Sequence, residues 1–205
     1  IPVINSIYFL FVPINKLVDD DKSMTIKDLV SKKIFWILFI IMICSGASEQ
    51  SMSQWASAFA DMGLNVSKTM GDLMGPCFFA LLMGSSRMIY AKFGDSIPLE
   101  GIMIKSTVLC IVSYVVAALS PIPIISLIAC GVCGLSVGIL WPGTFSISSK
   151  TIPLGGTAMF GLLALAGDVG CSVGPTLVGV VSKIFDNQLK IGILCAIVFP
   201  VMLLI

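Results

Sequence analysis

Apolar positions in this chain come in long unbroken blocks rather than in alternation. The blocks run at about 34–59, 70–91, 101–119, 122–148, 155–184 and 191–205. Each of the first five reaches the roughly 20 residues that an α-helix needs to cross a hydrocarbon core, so the pattern predicts membrane-spanning helices. The sixth stops at Ile205, and Ile1 to Pro13 reads as the end of a preceding span. The run NKLVDDDKSMTIKDLVSKK is the only extended polar stretch. We therefore expect three parts: a helix tail at 1–13, a central linker at 14–33, and an all-α bundle of six helices at 34–205 whose last helix is cut short.

Two carboxylates interrupt the apolar blocks. Glu49 lies inside the first full span and Asp168 inside the fifth. An ionisable side chain at that depth is costly, so it usually faces the bundle interior or a watery path, and it is a functional candidate by default. On an ideal helix turning about 100° per residue, Gly46, Glu49, Gln50, Ser53, Gln54 and Ser57 fall within an arc of about 140°. Interhelical hydrogen-bonding glue is one reading of this polar side. A cavity wall is the favoured one, because a carboxylate and two primary amides exceed what glue requires.

Asp168 has a comparable setting. Thr157, Gly161, Ala164, Asp168, Ser172, Pro175 and Gly179 share one side of their helix, while Gly167, Gly170 and Gly174 share another. Its bland reading is a satisfied interhelical partner. Gly170 and Gly174 form a GxxxG, which lets a neighbouring backbone come close, and Gly131, Gly134 and Gly138 are expected to do the same one helix earlier. Prolines free backbone groups in these helices: Pro142 displaces the carbonyl of Gly138, and Pro175 that of Cys171. Interrupted helices near the midplane are where transporters place solute and ion sites. In GILWPGTF, the aromatic Trp141 stands directly at such a break. Trp55 projects away from the polar arc and is read as an interfacial or packing aromatic unless its helix is broken, and Tyr114, alone in an apolar span, is read as a packing residue.

Composition agrees with the block pattern. The apolar share is 57% and the charged share 11%, with a mean hydropathy of +1.06, far from the quarter or so of charged residues in soluble domains. Net charge is +1 and there is no His, which argues against a nucleic-acid partner and against a His-ligated metal. The seven cysteines fall within or at the edges of apolar blocks, and Cys130 with Cys133 forms a CxxC that lacks a second pair. They read as reduced packing residues, with no metal site and no cofactor expected. Positive loops stay cytoplasmic. If the linker is cytoplasmic, nine of the twelve Lys and Arg residues lie on that side, leaving Lys68, Lys183 and Lys190 outside.

The turn GSSRMIYAKFGD, ending in Ala91-Lys92-Phe93-Gly94, resembles the cytoplasmic loop motif in the second half of the major facilitator superfamily. GLSVGILWPGTFSISSK and ALAGDVGCSVGPTLVG are similar to helices ten and eleven of its fucose-permease-like sugar transporters. The tetrad's acidic residue is replaced by Ala91. The resemblance implies the C-terminal six-helix half of a twelve-helix fold in the plasma or inner membrane, working by alternating access with an N-terminal half that carries much of the site. It also implies gating-loop roles for Gly84, Arg87, Lys92 and Gly94.

On this reading the chain belongs to an ion-coupled symporter of a small polar solute, expected to be a sugar, with a proton as the expected ion. Glu49 or Asp168 would bind and release the proton or sit near a sodium ion. Gln50 and Gln54, each offering a donor and an acceptor, suit paired hydroxyls, with Ser53 and Ser172 beside them and Trp141 presenting an apolar ring. The expected partners are the solute, the coupling ion, the lipid bilayer and the other half of the transporter. No enzymatic activity is expected. Rivals are transport of drugs or peptides, a non-transporting protein of the same fold acting as sensor or assembly partner, and, remotely, an intramembrane aspartyl protease suggested by AGDVG.

Overall fold

The apolar blocks fold as helices, and no strand occurs among the described residues. This computed structural model describes residues 2–12, 24–58, 69, 73–94 and 98–204. The elements are α1 (Pro2–Phe11), α2 (Ile26–Val30), α3 (Lys33–Ser53), a π-helical turn (Leu73–Cys77), α4 (Phe78–Phe93), α5 (Leu99–Leu119), α6 (Pro123–Val137), α7 (Leu140–Thr151), α8 (Gly156–Ile184), α9 (Leu189–Cys195) and α10 (Val198–Met202).

Among the described residues, four helical stretches are long and apolar enough to cross a membrane: Lys33–Ala58, Leu99–Leu119, Ile124–Thr151 and Gly156–Ile184. By length and composition the chain is a multi-pass membrane protein. The six blocks do not all become uninterrupted spans. Block 70–91 is described from Leu73, and its helix α4 has 16 residues after a π-helical turn that contains Pro76. Block 122–148 is two helices, α6 and α7, separated at Gly138 and Ile139. The last block breaks at Ala196 and Ile197, four residues before a proline, Pro200, that can make no hydrogen bond back to Ala196.

The chain reverses between α8 and α9 through Asp186 and Asn187, both in the left-handed region at φ 52° and 61°, where short polar side chains are the non-glycine residues best tolerated. The expected linker is not featureless. Thr25 caps α2 by accepting a hydrogen bond from the Asp28 amide at 3.2 Å, and Leu29 is fully buried among Phe35, Ile152, Met159 and Leu163. The Met24 amide donates to the Leu154 carbonyl at 2.8 Å, and the Trp36 indole donates to the Val30 carbonyl at 2.8 Å. These contacts dock the linker's described part on the bundle end where α7 meets α8.

Packing is organised around α3 and α6. α8 lies along α3, α5 and α4 both pack on α6, and α9 fills the space between α8 and α5. Without a hydrophobic gradient in lipid, close backbone approach and dispersion hold such helices together. The α3 to α8 seam shows why small residues are needed. A Cβ on Gly46 would meet the Gly167 carbonyl, one on Gly170 the Ile43 carbonyl, and one on Gly174 the Ala47 backbone. Behind the seam, Tyr114 is fully buried and donates to the Ser48 carbonyl at 2.7 Å, tying α5 to α3.

Candidate functional site

The break between α6 and α7 is where a polar cluster assembles. Pro142 has no amide hydrogen to return to Gly138, so the Gly138 carbonyl is left without its helical donor. Arg87 supplies one: its Nε donates to Gly138 O at 3.3 Å. The same guanidinium donates through Nη2 to Glu49 Oε2 at 3.2 Å, forming an ion pair. One side chain on α4 therefore joins α3, α4 and the α6 to α7 break. The Glu49 side chain is 15% exposed and that of Arg87 44%, so the pair sits at the edge of the bundle with its guanidinium partly open.

Asp168 lies near the middle of α8, on its exposed side, with no cation in salt-bridge range among the described residues. Cys171, half-buried one turn further along, stands within electrostatic reach of both Glu49 and Asp168, so the two acids border a common region. Ser172 and Thr176 continue the polar strip on α8. Their hydroxyls donate to the Asp168 carbonyl at 3.1 Å and to the Ser172 carbonyl at 2.7 Å. Here a hydroxyl back-bonds into the turn beside Pro175, where the Cys171 carbonyl has lost its partner.

Trp141 packs its ring against Gly167, leaving no room for a Cβ there. Its Nε1 is buried with no hydrogen-bond acceptor among the described residues. The indole thus presents an unused donor at the helix break, against the glycine side of α8. On α3, Gln50 and Ser53 are half-buried, and Gln54, which caps its C-terminus, is exposed. Trp55 follows at a turn in the helix and donates to the Pro175 carbonyl at 3.2 Å, a packing role across the α3 to α8 seam.

Of the remaining candidates, Gly84, Lys92, Gly94, Gly131 and Gly134 lie apart from this cluster. Gly84 is on α4 with open space beside it, and a Cβ on Gly94 would touch the Tyr90 ring at 3.0 Å. Lys92 places its Nζ 5.3 Å from the Phe93 ring centroid. Arg87 is inside α4 rather than in the connection that follows it. A Cβ on Gly131 would meet the Phe78 ring, one on Gly134 the Phe79 carbonyl, and one on Gly138 the Met83 carbonyl and Ser86, so this row seats α6 on α4. Cys130 and Cys133 are fully buried, the first beside Met52 at 3.4 Å and the second 4.0 Å from Cys110.

Two features of the cluster escape a reading by helical faces. The pairing of Arg87 with Glu49 spans 38 residues, and its only sequence signal is a lone guanidinium inside an apolar helix next to serines. The tyrosine at 114 reads as packing, yet its hydroxyl also satisfies a backbone carbonyl. No family model, no curated protein and no solved structure matches this chain.

Proposed function

We propose that this chain is part of an ion-coupled secondary transporter for a small polar solute, with a proton as the ion and a sugar as the favoured solute class. The observation that carries the reading is the placement of charge. Two acids near the middles of membrane-length helices act on one half-buried cysteine, Arg87 joins one of them to the carbonyl that Pro142 leaves without a donor, and an unused indole donor lies at the same helix break. Intramembrane charges of this kind are costly and mark ion or solute paths.

The chemistry follows from the two environments. Asp168, with no countercharge among the described residues, is the group that takes up and releases the proton. Glu49 is held by Arg87, and protonation of Glu49 would free the guanidinium to bond only the Gly138 carbonyl, loosening α3 from α4. Gln50, Gln54 and the Trp141 N–H supply donors and acceptors for hydroxyls, while the Trp141 ring offers an apolar face. Linker and lysine-rich helix ends are assigned to the cytoplasmic side by the positive-inside rule. The described lysines follow it, with Lys27, Lys32, Lys33, Lys92, Lys105 and Lys150 near one set of helix ends and Lys183 and Lys190 near the other. The two-acid protease reading weakens, since such an enzyme shares a proton between two facing carboxylates and Arg87 already occupies that of Glu49.

The test is uptake by the full protein in proteoliposomes. A panel of labelled sugars would be offered with and without an inward proton gradient. Gradient-driven accumulation of one sugar, lost in Asp168→Asn, is the expected result. Uptake that persists unchanged in both Asp168→Asn and Glu49→Gln removes the acids from coupling, and absence of uptake across the panel sinks the sugar assignment.

A further inference from the structure

The described part of the linker carries apolar surface that the bundle does not use. On an ideal helix, Ile26, Leu29 and Val30 of α2 fall within an arc of about 100°, with Asp28 on the other side. Leu29 is fully buried against α3 and α8. Its two neighbours on that arc are not: Ile26 is 58% exposed and Val30 37%. The apolar strip continues at the start of α3, where Ile34, Trp36, Ile37 and Ile40 are exposed too. The Trp36 indole donates to the Val30 carbonyl at 2.8 Å, which ties the end of α2 to the first turn of α3. Lys27, Lys32 and Lys33 stand exposed around the strip.

We propose that α2 lies in the boundary between phospholipid headgroups and acyl chains, with Leu29 gripped by the bundle and Ile26 and Val30 entering the lipid. Position and continuity choose lipid as the occupant. The membrane-length stretch Lys33–Ala58 begins just beyond α2, at the level where a hydrocarbon core meets its headgroups, and the exposed strip of α2 runs on into the exposed side of that stretch. The surrounding residue types suit the same level. An indole favours the boundary, with its ring among the headgroups. A lysine stem covers apolar surface while its ammonium reaches outward, here to the phosphate that every phospholipid carries. A short helix with one apolar and one polar side lies flat at such a boundary. The end of the linker is then a membrane-surface element rather than an aqueous connection, and through Leu29 it sets the height of this end of the bundle in the bilayer. The reading needs only that the chain is a membrane protein and does not depend on transport.

The experiment places an environment-sensitive fluorophore on α2 of the full protein in phosphatidylcholine vesicles, using Ile26→Cys, Val30→Cys and Asp28→Cys one at a time. The exposed Cys77 and Cys195 and the half-buried Cys171 are replaced by Ser, and the fully covered thiols do not react. Brominated phosphatidylcholine quenches from the acyl region, and iodide on both sides of the bilayer quenches from water. At positions 26 and 30 the expected result is blue-shifted emission, strong quenching by brominated lipid and loss of the iodide quenching seen at position 28. Iodide quenching at 26 and 30 equal to that at 28 overturns the proposal and leaves the strip in water. Protection of 26 and 30 from both quenchers also overturns it, and makes the occupant a protein surface, either a second copy or an unlike chain.

Discussion

Glu49 and Asp168 stand on neighbouring helices, near mid-span, and border the same half-buried cysteine, yet their surroundings differ. Glu49 has a guanidinium at 3.2 Å and a mostly covered side chain. Asp168 lies on an exposed strip with hydroxyls around it and no cation among the described residues. A charge matched inside the chain helps to hold helices in place, whereas an unmatched one must find water, an ion or another protein surface once lipid surrounds it. On the proposed reading, the difference separates a holding role from an exchanging one.

Both acids depend on the α3 to α8 seam, and breaking it carries the largest expected effect. Gly170→Val would drive its side chain into the Ile43 carbonyl. Overpacking against backbone that cannot yield is expected to cost at least about 3 kcal/mol, read as a fall in unfolding temperature and yield of the purified protein. Gly161→Val, on the same helix with nothing within 4 Å, is expected to cause no comparable loss. Equal damage from both would show that α8 does not use one side for packing.

Arg87→Gln comes next. It leaves Glu49 charged and without its partner, and it strips the Gly138 carbonyl of a donor. Removing one member of a buried pair costs about 3–5 kcal/mol, but the guanidinium is 44% exposed, so about 2 kcal/mol is expected after solvent screening. The double variant Glu49→Gln with Arg87→Gln should recover much of that, a coupling measured by a double-mutant cycle. Additive losses would mean that the two charges do not hold each other.

A smaller effect is expected at Tyr114→Phe. The ring stays, and the buried Ser48 carbonyl loses one donor, worth about 1 kcal/mol in thermal unfolding. The smallest effect on stability is expected at Asp168→Asn, with no measurable shift in unfolding temperature but loss of gradient-driven uptake. A large destabilisation there would move Asp168 into the same holding class as Glu49 and erase the contrast.

Much of the fold is written in local pattern. Block 155–184 is helix Gly156–Ile184, and block 101–119 is contained in Leu99–Leu119. The two sides of α8 follow from 100° spacing alone, since Gly170 and Gly174 lie against α3 while Asp168 and Ser172 stay exposed. The break at Gly138 is legible from Pro142. The break at Ala196 was legible in the same way from Pro200, although hydropathy alone hides it. Docking of Leu29 was not legible, because a five-residue helix in a polar run gives no periodic signal.

Hydropathy and side-chain spacing, which act within one helix, determined the all-α membrane architecture, the depth of the two acids and the faces that carry them. Tertiary structure decided which acid is paired. Arg87 reaches Glu49 only because α4 packs on α6 and thereby stands beside α3, and no periodicity within a single helix encodes the distance between two of them. That packing alone brings the guanidinium to the carbonyl Pro142 set free and leaves Asp168 without a countercharge among the described residues.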